Sequence, residues 1–240
     1  MAASLCDWTS LIPELADHGF SAYALDLFGH GGSAKPDDPS LYHVDFIYQH
    51  FLAWIDSLQL KEPPILIGHS LGGYISLMHA LRQPQMIRSL VLIDPYYEIK
   101  QVPLVLRLVQ SQPSLGEKAM RITPLWMINF VLGWSRDSIA QISERQRQQI
   151  AADYKRASPH FVYITRVIPD LTDSLKQVNL PALVLWGDHD QTLRPASFPR
   201  LVQALPNAVG HSIPATGHQP HISKPEQVYS FILEFIKNLS

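Results

Sequence analysis

The stretch Gly68-His69-Ser70-Leu71-Gly72 constrains this chain more than any other. Just before it comes Pro64-Ile65-Leu66-Ile67, a short continuous apolar run of the kind a strand buried on both faces needs. Just after it Leu71, Tyr74, Ile75, Met78 and Leu81 recur at helical spacing. Ser70 therefore belongs at a strand-to-helix turn, where Gly68 and Gly72 remove Cβ atoms that would clash in so sharp a bend. Such an elbow lifts the hydroxyl clear of the sheet and sets it beside a helix N-terminus. Free N–H groups there can hold a developing oxyanion.

Further strands and helices alternate around this elbow. Trp8, Leu11, Ile12 and Leu15 share a helix face that Gly19 should stop, and Phe20 to Leu25 alternates as a strand. Val44, Ile47, Phe51, Trp54, Ile55 and Leu58 form one face of a helix. Leu90-Val91-Leu92-Ile93 and Ala182-Leu183-Val184-Leu185-Trp186 read as buried strands, Ala208 to Ile213 as a weaker one. A helix is expected from about Pro195 to Ala204, and a last one carries Val228, Phe231, Ile232, Phe235 and Ile236. Alternation of this kind implies an α/β fold, a mostly parallel sheet flanked by helices. Between Tyr96 and Asn179 prolines interrupt the apolar stretches and nothing resembles a buried strand. Residues 1–95 and 180–240 are thus expected to form the core, and 96–179 a helical lid on the carboxyl-end rim of the sheet.

Composition narrows the function classes. A net charge of −2 over 240 residues argues for neither a nucleic-acid nor an anionic-membrane partner. Cys6 is the single cysteine, which excludes an internal disulfide and fits a reducing compartment. With no apolar leader and no apolar run long enough to span a bilayer, a soluble cytoplasmic protein is expected.

A serine hydroxyl needs a base to become a nucleophile, and the base needs an orienting carboxylate. His218, after Gly217 in the loop between the last strand and the last helix, is the best-placed base; His211 and His221 are the alternatives. Asp190 ends the Trp186 strand in Gly187-Asp188-His189-Asp190 and is the favoured carboxylate, Asp188 being a turn-former. Asp94, ending an earlier strand, is the other candidate, or else a cap for the turn after it. Asp26 reads as a brace for the Gly-rich loop Gly29-His30-Gly31-Gly32. His189 with its two flanking aspartates lacks further ligands for a metal.

Gly68-His69-Ser70-Leu71-Gly72-Gly73, Asp26-Leu27-Phe28-Gly29-His30-Gly31-Gly32-Ser33, Trp186-Gly187-Asp188-His189-Asp190 and Thr216-Gly217-His218 together resemble the α/β-hydrolase superfamily. The resemblance covers essentially the whole chain outside the lid. It implies hydrolysis through an acyl-serine intermediate, with Ser70, Asp190 and His218 at the catalytic positions. An elbow carrying serine rather than aspartate is less like the haloalkane-dehalogenase and epoxide-hydrolase branches. Relatives have an earlier strand ending in His-Gly, and Met1 to Trp8 resembles the stretch just after that pair. The N-terminal strands are therefore expected to be missing, through a misplaced start or else in a truncated and weakened form, the former being favoured because the remaining constellation is complete. That leaves Met1 at or near the position of one oxyanion donor and Leu71 as the other.

The expected protein is a serine hydrolase acting on an ester or related acyl bond of a small, fairly apolar molecule, without a cofactor. His69, Trp126 and Phe130 are candidate substrate contacts, within a wall that could include Leu104, Leu108, Met127 and Trp134. The alternatives are a C–C or amide hydrolase or a lyase on the same scaffold, and a non-catalytic ligand-binding member. A membrane-docking lid rests only on the apolar run from Ile122 to Trp134; exposure of that run would favour it and burial dismiss it.

Overall fold

Apolar runs too short for a helix become strands when a neighbour satisfies their backbone. Among the described residues four do so: β1 (Ile65–His69), β2 (Ser89–Ile93), β3 (Ala182–Gly187) and β4 (Ala208–Ile213). All pair in parallel, in the order β1-β2-β3-β4, with Ile65 opposite Ser89, Leu90 opposite Ala182 and Ala182 opposite Ala208. Every residue of β2 and β3 is buried, whereas β1 alternates between buried and half-buried and β4 is largely accessible. That contrast is why the central pair reads as unbroken apolar sequence and the weaker strand does not.

The computed structural model describes residues 3–104, 106–107, 111–128, 142–166 and 168–239. Among them, in chain order, the α-helices are α1 (Leu11–Asp17), α2 (Val44–Ser57), α3 (Leu71–Arg82), α4 (Pro113–Ile122), α5 (Glu144–Arg156), α6 (Ser197–Ala204), α7 (Pro220–Ser223) and α8 (Pro225–Lys237). No helix among the described residues is long and apolar enough to cross a membrane. The chain divides into two compact units, one of Leu60–Pro103 with Pro169–Ser240, the other of Met1–Gln59 with Leu104–Ile168.

The first unit holds the sheet. Helix α3 packs on β1 and β2, α6 on β3 and β4, and α8 on β3. Val228 and Ile232 of α8 are completely buried, and Pro225 opens that helix at the position where a missing N–H costs nothing. Residues 96–103 and 169–179, expected in the lid, belong to this unit. Tyr97 donates its hydroxyl to the Ser197 carbonyl, its own carbonyl accepts from Leu171 N–H, and Tyr74 donates to the Pro169 carbonyl.

The second unit is helical. His43 caps α2 by accepting from Phe46 N–H, and Ser143 and Gln146 form a reciprocal capping box at the start of α5. Lys155 donates to the Met120 and Arg121 carbonyls, joining α5 to α4. Asp26 braces the Gly-rich loop: its carboxylate accepts from Leu5 N–H and Gly32 N–H at 2.7 Å each. Phe20 to Leu25, expected as a strand, is not one. Sequence alternation sets which side chains face inward, but a strand also needs a ladder partner, and among the described residues this segment pairs with none.

Candidate active site

The elbow forms between β1 and α3. Ser70 sits at φ 52° and ψ −113°, a left-handed region that a residue with a Cβ enters only under constraint. The constraint comes from β2 and the segment after it: Ser70 N–H donates to the Ile93 carbonyl at 3.0 Å, and the Ser70 carbonyl accepts from Tyr96 N–H at 3.1 Å. Gly68 is required by space, since a Cβ there would lie 2.5 Å from the Gly72 carbonyl oxygen. Gly72 is not: a Cβ there would meet nothing within 4 Å. The tight second contact is at Gly73, whose Cβ would lie 2.6 Å from that of Pro95.

From this turn a relay runs to the ends of β3 and β4. Ser70 Oγ lies 3.0 Å from His218 Nε2, and His218 Nδ1 lies 2.8 Å from Asp190 Oδ2. Asp190 Oδ1 accepts from Thr192 and Leu193 N–H at 2.7 and 2.9 Å, so its carboxylate is fully engaged and its side chain is inaccessible. With a carboxylate at Nδ1, the imidazole places its proton there and leaves Nε2 as an acceptor for the serine hydroxyl. The two loops meet because Gly187 allows it; a Cβ on Gly187 would lie 2.1 Å from the Gly217 carbonyl oxygen. Ser70 is 9% exposed, sheltered yet within reach of a small molecule.

Of the other expected residues, Leu71 opens α3, so its N–H has no acceptor one turn back in the helix and lies beside the serine. Met1 and Phe130 lie outside the described residues, as do Leu108 and Trp134. Trp126 is 70% exposed and Ile122 72%; Leu125 is exposed as well, while Ile128 is buried. His69, expected as a substrate contact, spends its Nε2–H on the His218 carbonyl at 2.6 Å. His211 stacks on Phe231 within β4, and Asp188 lies on the exposed side of its turn near His189. His221 is buried 4.6 Å from the ring of His69. Burial, with the neighbouring His218, pushes His221 down to about 3; burial, His221 and His218 hold His69 well below the usual histidine range.

Two roles were not legible in the sequence. One is the bond from His69 to the His218 loop. The other is Asp94, which does not cap the turn after it. Its Oδ1 accepts from Gly187 N–H at 2.9 Å, across to the strand that carries Asp190. The parallel register, with Ile93 opposite Leu185, is the signal that puts the two aspartates side by side.

Residues 4–231 match the model of the Alpha/beta hydrolase family. The chain belongs to that family. It is 28% identical to the uncharacterized hydrolase YugF of Bacillus subtilis, over 98% of this chain and 86% of that one. It is 27% identical to a pimeloyl-[acyl-carrier protein] methyl ester esterase of Aeromonas hydrophila, over 95% of this chain and 89% of that one. A 2-hydroxy-6-oxo-6-(2'-aminophenyl)hexa-2,4-dienoic acid hydrolase of Metapseudomonas resinovorans is 23% identical, over 98% and 80%. Among solved structures, a hydrolase from Pseudomonas aeruginosa superposes with a TM-score of 0.81 at 22% identity, covering 98% of this chain and 86% of that one. Likeness at that identity establishes the fold: a parallel sheet flanked by helices.

Proposed function

We propose that this protein is a serine hydrolase that cleaves an ester or related acyl bond of a small, fairly apolar substrate through an acyl-serine intermediate. The observation that carries the reading is the unbroken relay from Ser70 through His218 to Asp190, with the serine held on a strained elbow. Ser70 Oγ attacks the acyl carbon while His218 Nε2 takes its proton, and Asp190 holds the imidazolium that forms. Leu71 N–H donates to the carbonyl oxygen as it becomes an oxyanion. The C–O bond to the leaving alcohol then breaks, and His218 returns the proton to that oxygen. Water, deprotonated by His218, attacks the acyl-serine and releases the acid, restoring Ser70. The chemistry uses only these side chains and backbone donors.

Covalent labelling by a fluorophosphonate tests the reading, because the probe requires both an activated nucleophile and an oxyanion site. Labelling that disappears in Ser70→Ala supports it; a folded wild-type protein that takes no label overturns it. The relative that hydrolyses a dienoic acid favours a second reading, C–C bond hydrolysis with the same serine and base. Turnover of a vinylogous diketone with no ester turnover would select it. A further reading, docking of the Ile122–Trp126 segment on lipid, is favoured by the exposure of both residues. Co-sedimentation with neutral phosphatidylcholine vesicles that Trp126→Ser abolishes would support it, and no co-sedimentation of the wild type would overturn it.

A further inference from the structure

Asp94 ends β2 with its side chain enclosed, 0% exposed, and its backbone at φ 40°. Aspartate tolerates that conformation better than most residues, yet glycine or asparagine would suit it as well or better. The carboxyl therefore has its own reason to be there. One of its oxygens, one from Asp190 and one ring nitrogen of His218 all lie within 4.8 Å of one another. Two buried carboxyl groups thus face a single imidazole.

Counting donors tells the two apart. The Asp190 carboxylate accepts from Thr192 N–H, Leu193 N–H and His218 Nδ1–H, so both of its oxygens are satisfied as an anion. Asp94 Oδ1 accepts from Gly187 N–H, while its buried Oδ2 finds no donor among the described residues. An ionised Asp94 would leave a buried anionic oxygen without a donor beside a second anion, an arrangement that is strongly destabilising. A protonated Asp94 removes both penalties, because its O–H becomes a donor facing an acceptor. Burial, and then the charge of Asp190, push the Asp94 carboxyl well above the usual carboxylate range, in the same direction.

We propose that Asp94 is a positioning residue: a neutral carboxylic acid whose O–H is donated to the Asp190 carboxylate, spreading that charge and so setting how tightly His218 holds its proton. The inference rests on the reading of Asp190 as the partner of His218. Donation from Asp94 weakens the pull of Asp190 on the imidazolium, so His218 is freed as a base at lower pH. Among the described residues of this unit, the other titratable groups around His218 are His69 from β1 and His221 from α7, both held neutral by burial. They do not titrate with it near neutral pH.

The test is the pH dependence of fluorophosphonate labelling in wild type, Asp94→Asn and Asp94→Gly. Asparagine keeps both interactions, its oxygen toward Gly187 and its NH₂ toward Asp190, and both replacements fit φ 40°. Asp94→Gly removes the donor to Asp190. Its acid limb is expected to move up by about half a pH unit or more, about threefold slower labelling below the limb. Asp94→Asn is expected to return the limb to its wild-type position. An unmoved limb in Asp94→Gly overturns the proposal, and so does a limb in Asp94→Asn displaced as far as in Asp94→Gly. A measurement on the intact protein stands beside these: an infrared carbonyl band of a protonated carboxylic acid at neutral pH that is lost in Asp94→Asn, and so is distinct from any band of Asp7, which burial raises to about 7. Absence of that band in the wild type overturns the proposal even if Asp94→Gly fails to fold. Asp190→Ala separates the two readings. If it labels like the wild type, the assignment of Asp190 falls, while the band still reports on Asp94.

Discussion

The Nε2–H of His69 donates to the backbone carbonyl of His218 at 2.6 Å, so the residue before the proposed nucleophile holds the loop of the proposed base. Because His69 immediately precedes Ser70, this bond and one peptide link tie the two ends of the Ser70–His218 pair through a short path. The distance that matters for proton transfer is then set by β1 and not by a free loop.

Replacing His69 by phenylalanine keeps the ring and removes the donor. The lost hydrogen bond is worth about 1 kcal/mol, and the half-buried His218 carbonyl left without a donor adds a smaller cost. The expected outcome is a fall in kcat of about tenfold on a chromogenic ester, with KM changed less than twofold, since the bond fixes the base and not the substrate. A KM effect larger than the kcat effect would show that His69 contacts substrate instead.

Ser70 stores backbone strain at φ 52°. Residues held in such regions cost about 1–3 kcal/mol each. Ser70→Gly should relieve part of it and Ser70→Ala none, since alanine keeps the Cβ. Both variants lose labelling, but Ser70→Gly is expected to melt several degrees above Ser70→Ala, at about 2–4 °C per kcal/mol for a chain of this size. Equal melting temperatures would mean that the positive φ carries little energy here.

The elbow glycines should differ sharply in their tolerance of alanine. Gly68→Ala drives a Cβ to 2.5 Å from the Gly72 carbonyl oxygen, and Gly187→Ala to 2.1 Å from that of Gly217. In both cases the obstacle is backbone, so a strand end or the His218 loop must move. Each is expected to cost about 2–4 kcal/mol and to lower labelling by more than tenfold. Gly72→Ala meets open space in the first turn of α3 and gains helix propensity of up to about 1 kcal/mol. Denaturation midpoints of the three variants check the ranking.

Those glycines also mark where the sequence stops being informative. The spacing of apolar residues located β1 to β4 and the helices after them within a residue or two, because periodicity follows directly from which faces are buried. The order of Ser70, Asp190 and His218 at strand ends likewise placed three groups that the fold brings together. Periodicity says nothing of which backbone atoms approach, so Gly72 looked as constrained as Gly68 and the role of Gly73 went unread. Nor does it supply a ladder partner: Phe20 to Leu25 alternates correctly and still forms no strand. The bond from His69 to His218 and the pairing of Asp94 with Asp190 join residues 149 and 96 positions apart; the register of β2 against β3 brings the aspartates together, and the loop after β4 brings His218 to the end of β1.

Acid should unfold this protein earlier than its carboxylates alone would. His69 and His221 are buried and neutral in the folded state, and His221 binds a proton only near pH 3. In the unfolded chain each is an ordinary histidine with a pKa of about 6.5. Below that value the unfolded state binds protons that the folded state refuses, so stability falls as pH drops. The histidine contribution is greatest above about pH 6.5, and that of His221 continues to decline until about pH 3. At pH 5 the loss from one such histidine is about 2 kcal/mol relative to neutral pH. Between pH 7.5 and 5 the two histidines should lower the urea midpoint of the wild type, against an opposing rise from Asp94 and Asp7, whose carboxyl groups burial holds above the usual carboxylate range. In His221→Phe the midpoint at pH 5, relative to that at neutral pH, should be higher than in the wild type by about that amount, whatever the variant's stability at neutral pH. An identical pH slope in His221→Phe would show that this histidine is not the group whose protonation the fold resists.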